Sequence, residues 1–286
     1  MIDLDAARSF VLLNARLLDR AYLAHLLGDG SRDAVLRALA GHANDDGGFG
    51  QALEPDLRTP RSQPIAVLTA LDLLHELDAG DSPLIAPALD WLTAVTNADG
   101  GVPFVTAGAG DAPHAPFLPT APGGPSSFHM TAAVTGAAQR LAAGRAHPWT
   151  AAAAAFCWDR LPSDGASAYE LRYALDFLDG AEDRERADAA LEALRPHVPP
   201  DRPLPVAGGT ADEALPLTVL TPRPGRPIRA LFDPEAVERA LDAVEAGQRE
   251  DGGWDFDWLH WNEAVSWETR GRVTVHALAL LRANGR

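Results

Sequence analysis

Two groups of residues in this chain have types and spacing suited to chemistry. The first is Asp255-Phe256-Asp257-Trp258, two carboxylates on alternate residues among aromatic rings. Trp254, Trp258, Trp261 and Trp267, four of the seven tryptophans, lie within 14 residues here. Aromatic faces stabilise cations and shape apolar cavities. A carboxyl kept dry among them holds its proton and can donate it. Asp255 and Asp257 suit solvated loop residues first, with proton donor as the other role. Two roles fit the tryptophans equally, ligand wall or core.

The second group follows four serines that read as helix caps. After Ser62 comes Gln63; after Ser127, Phe128-His129-Met130; after Ser167, Tyr169-Glu170 with Arg172; after Ser266, Trp267-Glu268 with Arg270. The loop Glu54-Pro55-Asp56-Leu57-Arg58 leads into the first. Helix N-termini favour anionic groups. Helices aligned at one end would bring His129, Glu170 and Glu268 together as acid–base groups. Phe128, Tyr169, Arg172, Trp258, Trp261, Trp267, Arg270, Glu54, Asp56 and Arg58 would then contact the substrate. Taken singly, each also suits a cap or an ion pair.

The elements that must position these residues read as helices throughout. Apolar residues recur at helical spacing over 3–27, 32–42 and 62–77, then 83–96, 127–143 and 148–161, then 168–179, 183–196 and 234–249, and from Ser266 to Ala283. Ser31 is the expected N-cap of the second, and Ser167 with Glu170 forms an S-x-x-E capping box. The proline-rich segment 199–227 has room for one short helix, over 211–220. The helices alternate with a recurring turn: NDDGGFG from Asn44, NADGGVPF from Asn97 and QREDGGW from Gln248. Its glycine pairs begin at Gly47, Gly100 and Gly252, spacings of 53 and 152 residues, the second about three times the first. A period near 50 residues with two helices per unit signals a stacked or closed helical array. The expected tasks of the turn are structural: glycines end the outer helix, Gln248 bonds orphan backbone groups at a helix end, and the aromatic packs over it.

Composition narrows the chemistry. A hydrophobic content of 47% marks a globular chain, and 286 residues can form one domain, 1–286. All 24 basic residues are arginine, so lysine-dependent Schiff bases and Walker-type phosphate loops are excluded. A net charge of −16 argues against nucleic acid as a partner. The single cysteine, Cys157, excludes an internal disulfide and multi-cysteine metal sites, and its apolar surroundings fit a buried thiol. No apolar run is long enough to span a bilayer, and residues 1–20 lack a signal-peptide pattern, so a cytoplasmic protein is expected.

Gln248, Gly252 and Trp254 as Q-x-x-x-G-x-W resemble the QW motif of squalene–hopene and oxidosqualene cyclases. The DGGF and DGGW turns resemble the repeats of protein prenyltransferase β subunits. The resemblance covers most of the chain at repeat level and implies an all-α, single α/α toroid in which inner helices ring a central cavity. It also implies an isoprenoid substrate: an apolar cavity folding a polyprenyl chain, an acid drawn from Asp257, Glu268 or Glu170, and tryptophans facing the cation. Arginines would hold a diphosphate if the substrate carries one. The sequence departs from these families in two ways. Asp255-Phe256-Asp257-Trp258 lacks the final acid of the cyclases' D-x-D-D, and no aspartate stands two residues before Cys157 as in the zinc site of the prenyltransferases. No metal and no cofactor is therefore expected. A carbohydrate-active toroid with paired carboxylates, or a non-catalytic binding or scaffold toroid, are the alternatives.

Overall fold

The computed structural model describes residues 2–121, 123–210 and 213–286. The fold is all-α: among the described residues there are thirteen α-helices and one two-stranded sheet. None of these helices is long and apolar enough to cross a membrane. In chain order the first helices are α1 (Leu4–Asn14), α2 (Leu17–Leu27), α3 (Arg32–Ala40), α4 (Pro64–Glu76) and α5 (Ile85–Val95). Next come α6 (Phe128–Gln139), α7 (Ala142–Ala146), α8 (Pro148–Asp159), α9 (Ala168–Gly180) and α10 (Arg184–Leu194). Strands β1 (Leu204–Pro205) and β2 (Ala214–Leu215) precede α11 (Leu217–Leu220), α12 (Pro234–Ala246) and α13 (Glu263–Ala283). Contacts divide the chain into two compact units, Leu39–Leu194 and Met1–Ala38 with Arg195–Arg286.

In the unit Leu39–Leu194 the alanine-rich α6 is the centre. Every residue from Met130 to Gln139 is buried, and α6 packs on α4, α8 and α9. Small side chains allow the close crossing: a methyl group on Gly136 would press on the Asp176 backbone of α9. In the other unit α13 packs on α1, α2 and α12.

The three glycine turns share one hydrogen-bond pattern. Asn44, Asn97 and Arg249 each donate a backbone N–H to the second glycine's carbonyl, at 2.9, 2.8 and 2.8 Å. Asp46, Asp99 and Asp251 each accept from that glycine's N–H, at 3.0, 3.3 and 3.0 Å. The first glycines have φ of +88°, +90° and +88°, which explains their identity. Each pair lies against two residues one helical turn apart: Pro87 and Trp91 of α5, Ala152 and Phe156 of α8, Ala6 and Phe10 of α1. The third turn is thus seated on the first helix of the chain. Gln248 completes that contact, accepting from the Asp3 N–H at 2.8 Å and donating to the carbonyls of Asp3 and Gly252 at 2.8 and 3.0 Å. The Trp254 indole donates to the Val244 carbonyl at 2.6 Å. Gln248 thus bonds backbone groups at a helix end as expected, whereas the preceding helices end before the glycine pairs, α5 at Val95 and α12 at Ala246.

Several boundaries differ from the sequence expectation. The helix expected over 3–27 is two, because Ala15 and Arg16 are extended (ψ 159° and 161°). Ala15 meets Gly271 of α13, and the Arg20 Nε donates to the Ala15 carbonyl at 2.8 Å. Periodicity reads through this break, yet Leu13 and Leu17, on either side of it, are 79% and 74% exposed. The helix expected through Ala143 ends at Gln139, and the extended Leu141 separates it from α7. Ser127 and Ser167 cap as expected, the latter in a full capping box. Ser62 does not: its hydroxyl donates to Asp46 at 2.7 Å, and Gln63 takes the cap position. Ser266 lies inside α13, which starts at Glu263 behind the cap Asn262, whose side chain accepts from the Val265 N–H. Of the short helix expected over 211–220, residues 211 and 212 lie outside the described residues, and the described part is β2 followed by α11.

Candidate functional site

Two places gather chemically capable side chains, one in each unit. The first is a groove on α4, α6 and α9. Helix α4 is buried except for one stripe that includes Ile65, Thr69 and Asp72; the corresponding stripe of α9 includes Tyr169, Arg172, Tyr173 and Asp176. Between them α6 exposes Phe128 and His129 at its start, and Arg140 just beyond its end keeps some accessible surface. Positions three and four apart share a helix face, which is why these side chains line up.

His129 stacks on Tyr173 with ring centroids 4.7 Å apart and on Tyr169 at 5.5 Å, and meets the Phe104 edge at 5.1 Å. Burial, reinforced by the positive charge of Arg172 and opposed by Glu170, pushes His129 down to about 4, so its imidazole is neutral at pH 7. Arg172 lies over the Tyr173 ring, 4.8 Å from its centroid. Burial raises the Tyr173 phenol against the pull of Arg172, so it remains a hydrogen-bond donor. Asp176 is held above the usual carboxylate range by burial, aided by Asp72 and Asp179 and opposed by Arg140 and Arg172. Arg140 itself is fixed by Asp72 at 2.6 Å. Thr69 donates to Glu54 at 3.3 Å, bringing the loop 54–58 to this groove. Beside Phe104, Ile65 and Leu118 cover an apolar cluster of Leu57, Val105 and Ala109.

Among the described residues, the side chains of His129, Arg172, Tyr173 and Asp176 make no hydrogen bond to the protein and no ion pair shorter than 4 Å. Their contacts are ring stacking, the Arg172–Tyr173 pair and longer-range charge. All four are partly buried, and the Arg172 Nε is a fully buried atom with no hydrogen-bond partner, a state that is rare for a buried polar group. Together they can donate a proton, accept one at imidazole, and hold a charged or hydroxylated ligand between aromatic faces.

The second place is a cleft of about 390 Å³ lined by Asp255, His260, Trp261, Asn262, Glu263, Ser266, Trp267 and Arg270. The charges of Arg270 and Asp255 are paired internally. Arg270 donates to both oxygens of Asp251, at 2.8 and 2.9 Å, and stacks with Phe10 and Trp267. Burial disfavours charge on Asp255, but hydrogen bonds from Arg249 and the Phe256 N–H, with the charge of Arg270, outweigh it and hold the carboxyl low. Asp255 is therefore a carboxylate and a poor acid. Asp257 has an exposed side chain and lacks the dry surroundings an alkene-protonating acid needs; only its carbonyl is engaged, by Thr210 at 3.0 Å. Trp258 packs on Phe256 at 4.4 Å.

The residues anticipated from sequence thus fall into three sets. His129, Phe128, Tyr169, Arg172 and Glu54 belong to the groove. Asp255, Trp261, Trp267 and Arg270 line the cleft, with Trp258 nearby, and Glu268 is a part-exposed residue of α13. Glu170, anticipated as catalytic, accepts from the Ser167 N–H and hydroxyl, both at 2.9 Å, and serves as a cap. Gln63 is held by Thr106 and Ala107, and Asp56 and Arg58 bond through their backbones to Ala115 and Pro113. Asp72, Arg140, Tyr173 and Asp176 were missed. The signal for Tyr173 and Asp176 was present: both lie on the helical stripe through Tyr169 and Arg172.

The chain is similar to a crystal structure of a protein from Actinoplanes, with a TM-score of 0.61 and 18% identity, covering 99% of this chain and 98% of that one. At that identity the likeness concerns the fold alone. No family model matches the chain, and no curated protein matches it.

Proposed function

We propose that the protein is an α/α toroid of the terpenoid cyclase and prenyltransferase type, acting on a small molecule in the α4–α6–α9 groove. The toroid is supported by the seating of the glycine turns. The first two rest on α5 and α8, each a helix later in sequence, and the third on α1, so each turn has the same kind of helical seat. The function is carried by one observation: the side chains of His129, Arg172, Tyr173 and Asp176 converge without hydrogen bonds to the protein. In this reading Asp176, and not Asp257, donates the proton that initiates the reaction. The faces of Phe104, Tyr169 and Tyr173 stabilise the cation that forms, and neutral His129 takes a proton at the end. The apolar surface of Ile65, Phe104 and Leu118 holds the hydrocarbon part.

The test is incubation with farnesyl and geranylgeranyl diphosphates and squalene, followed by analysis for cyclic or rearranged products. Turnover lost in Asp176→Asn and kept in Asp257→Asn is expected. No turnover together with no lipid co-purifying with the protein would overturn the isoprenoid reading.

A further inference from the structure

We propose that the ligand of this groove carries an oxyanion, a carboxylate or phosphate, that seats on Arg172 beside Asp176. The proposal rests on the groove being the ligand site and adds the chemical class of what binds there. It starts from a contrast among the arginines. Arg16, Arg140 and Arg270, whose side chains are only 11%, 13% and 11% exposed, each hold a carboxylate, at 2.8, 2.6 and 2.8 Å. Arg172 holds none, although Asp176 stands one turn further along the same helix. Its Nε is buried without a hydrogen-bond partner, and its plane is fixed over Tyr173. A guanidinium presents five donors in a planar fork that matches carboxylate and phosphate oxygens. Leaving the buried Nε without an acceptor is costly, and no protein carboxylate holds the rest of the fork, which an oxyanion can take.

Seating an anion there has a second effect. Asp176 is faced by Asp72 from α4, Arg140 beyond α6, and Arg172 and Asp179 from its own helix. Of these, Arg140 is already neutralised by Asp72, so Arg172 is the charge a ligand can cancel. Cancelling it removes an interaction that favours the Asp176 carboxylate, and Asp176 takes a proton from solvent as the ligand binds. The ligand thereby loads its own acid.

Calorimetric titration of the full chain with inorganic pyrophosphate and with succinate, in two buffers of different ionisation enthalpy near about pH 6, reads both effects without any turnover. Wild type is expected to bind at least one probe with net proton uptake. Asp176→Asn should bind it without uptake, and Arg172→Met should weaken it roughly thirty-fold, with Arg172→Lys between. Circular dichroism establishes that each variant is folded. Failure of folded wild type to bind either probe, or undiminished binding by Arg172→Met, would overturn the oxyanion site. Binding by wild type without proton uptake would overturn the link to Asp176. Absence of isoprenoid turnover leaves all of these outcomes unchanged, so the two proposals fail separately.

Discussion

The segment Gln248–Arg270 and the groove on α4, α6 and α9 hold similar side chains in opposite states. In the first, Arg270 is paired with Asp251, Asp255 with Arg249, and Gln248 with both the N–H and the carbonyl of Asp3. In the second, Arg172, Asp176, Tyr173 and His129 lie close to one another with no such bonds. A charged side chain satisfied by the protein holds the fold; one surrounded by protein and left without a partner is available to something else. The motif-rich segment is the former kind, and the region with no recognisable motif is the latter.

The contrast can be broken most forcefully at Gly252. A methyl group there would fall against the Ala6 carbonyl, at a φ of +88° that side chains avoid. Gly252→Ala is expected to cost about 4 kcal/mol in urea unfolding, a loss confined to stability. A loss below about 1 kcal/mol would mean that the third turn is not seated on α1. The groove predicts a pH effect instead. His129 titrates near 6.5 when unfolded and at about 4 when folded, so the unfolded chain takes the proton first. Its contribution is therefore whole above pH 6.5 and is lost as pH falls from 6.5 towards 4, by up to about 3 kcal/mol. His129→Phe should flatten that part of a stability–pH profile; an unchanged profile would show that the imidazole is not desolvated.

The smallest effect sharpens the comparison through its sign. Asp176 is raised, so the folded state holds its proton more tightly and its ionisation opposes folding as pH climbs above the ordinary carboxylate value. Asp176→Asn should therefore raise the unfolding midpoint at pH 7. Asp255 is lowered by its partners. Asp255→Asn should lower stability by under about 1 kcal/mol, as for a part-exposed ion pair. Equal signs for the two would erase the distinction between the regions.

Much of the architecture was legible in the sequence because glycine, capping serine and helical periodicity act locally. Gly47, Gly100 and Gly252 announce a backbone conformation, and Ser167 with Glu170 announces a cap. The break at Ala15 carries no local mark, and its close partner, Gly271, is more than 250 residues away in sequence. The cap serines misled for a related reason. Ser62 is drawn away by Asp46, and Arg270 holds Asp251 in the third turn where Ser62 and Ser126 hold the aspartates of the first two. The groove was half visible. Tyr169, Arg172 and His129 follow caps and attract notice. Asp72 and Asp176 sit mid-helix, where an isolated aspartate carries no local mark, and only the packing of α4 and α9 on α6 brings them together.

The bond between Asp3 and Gln248 has a consequence for how the chain is made. Helix α1 is synthesised well before the turn that seats it, which lies about 245 residues later. Residues 39–194 form a continuous unit and can complete their packing while synthesis proceeds. Helix α1 must wait, with Phe10 uncovered, until the third turn and α13 emerge. The order of synthesis and the order of assembly therefore run opposite at this end of the molecule. A nascent chain arrested before Gln248 would hold a finished middle and an unclaimed beginning.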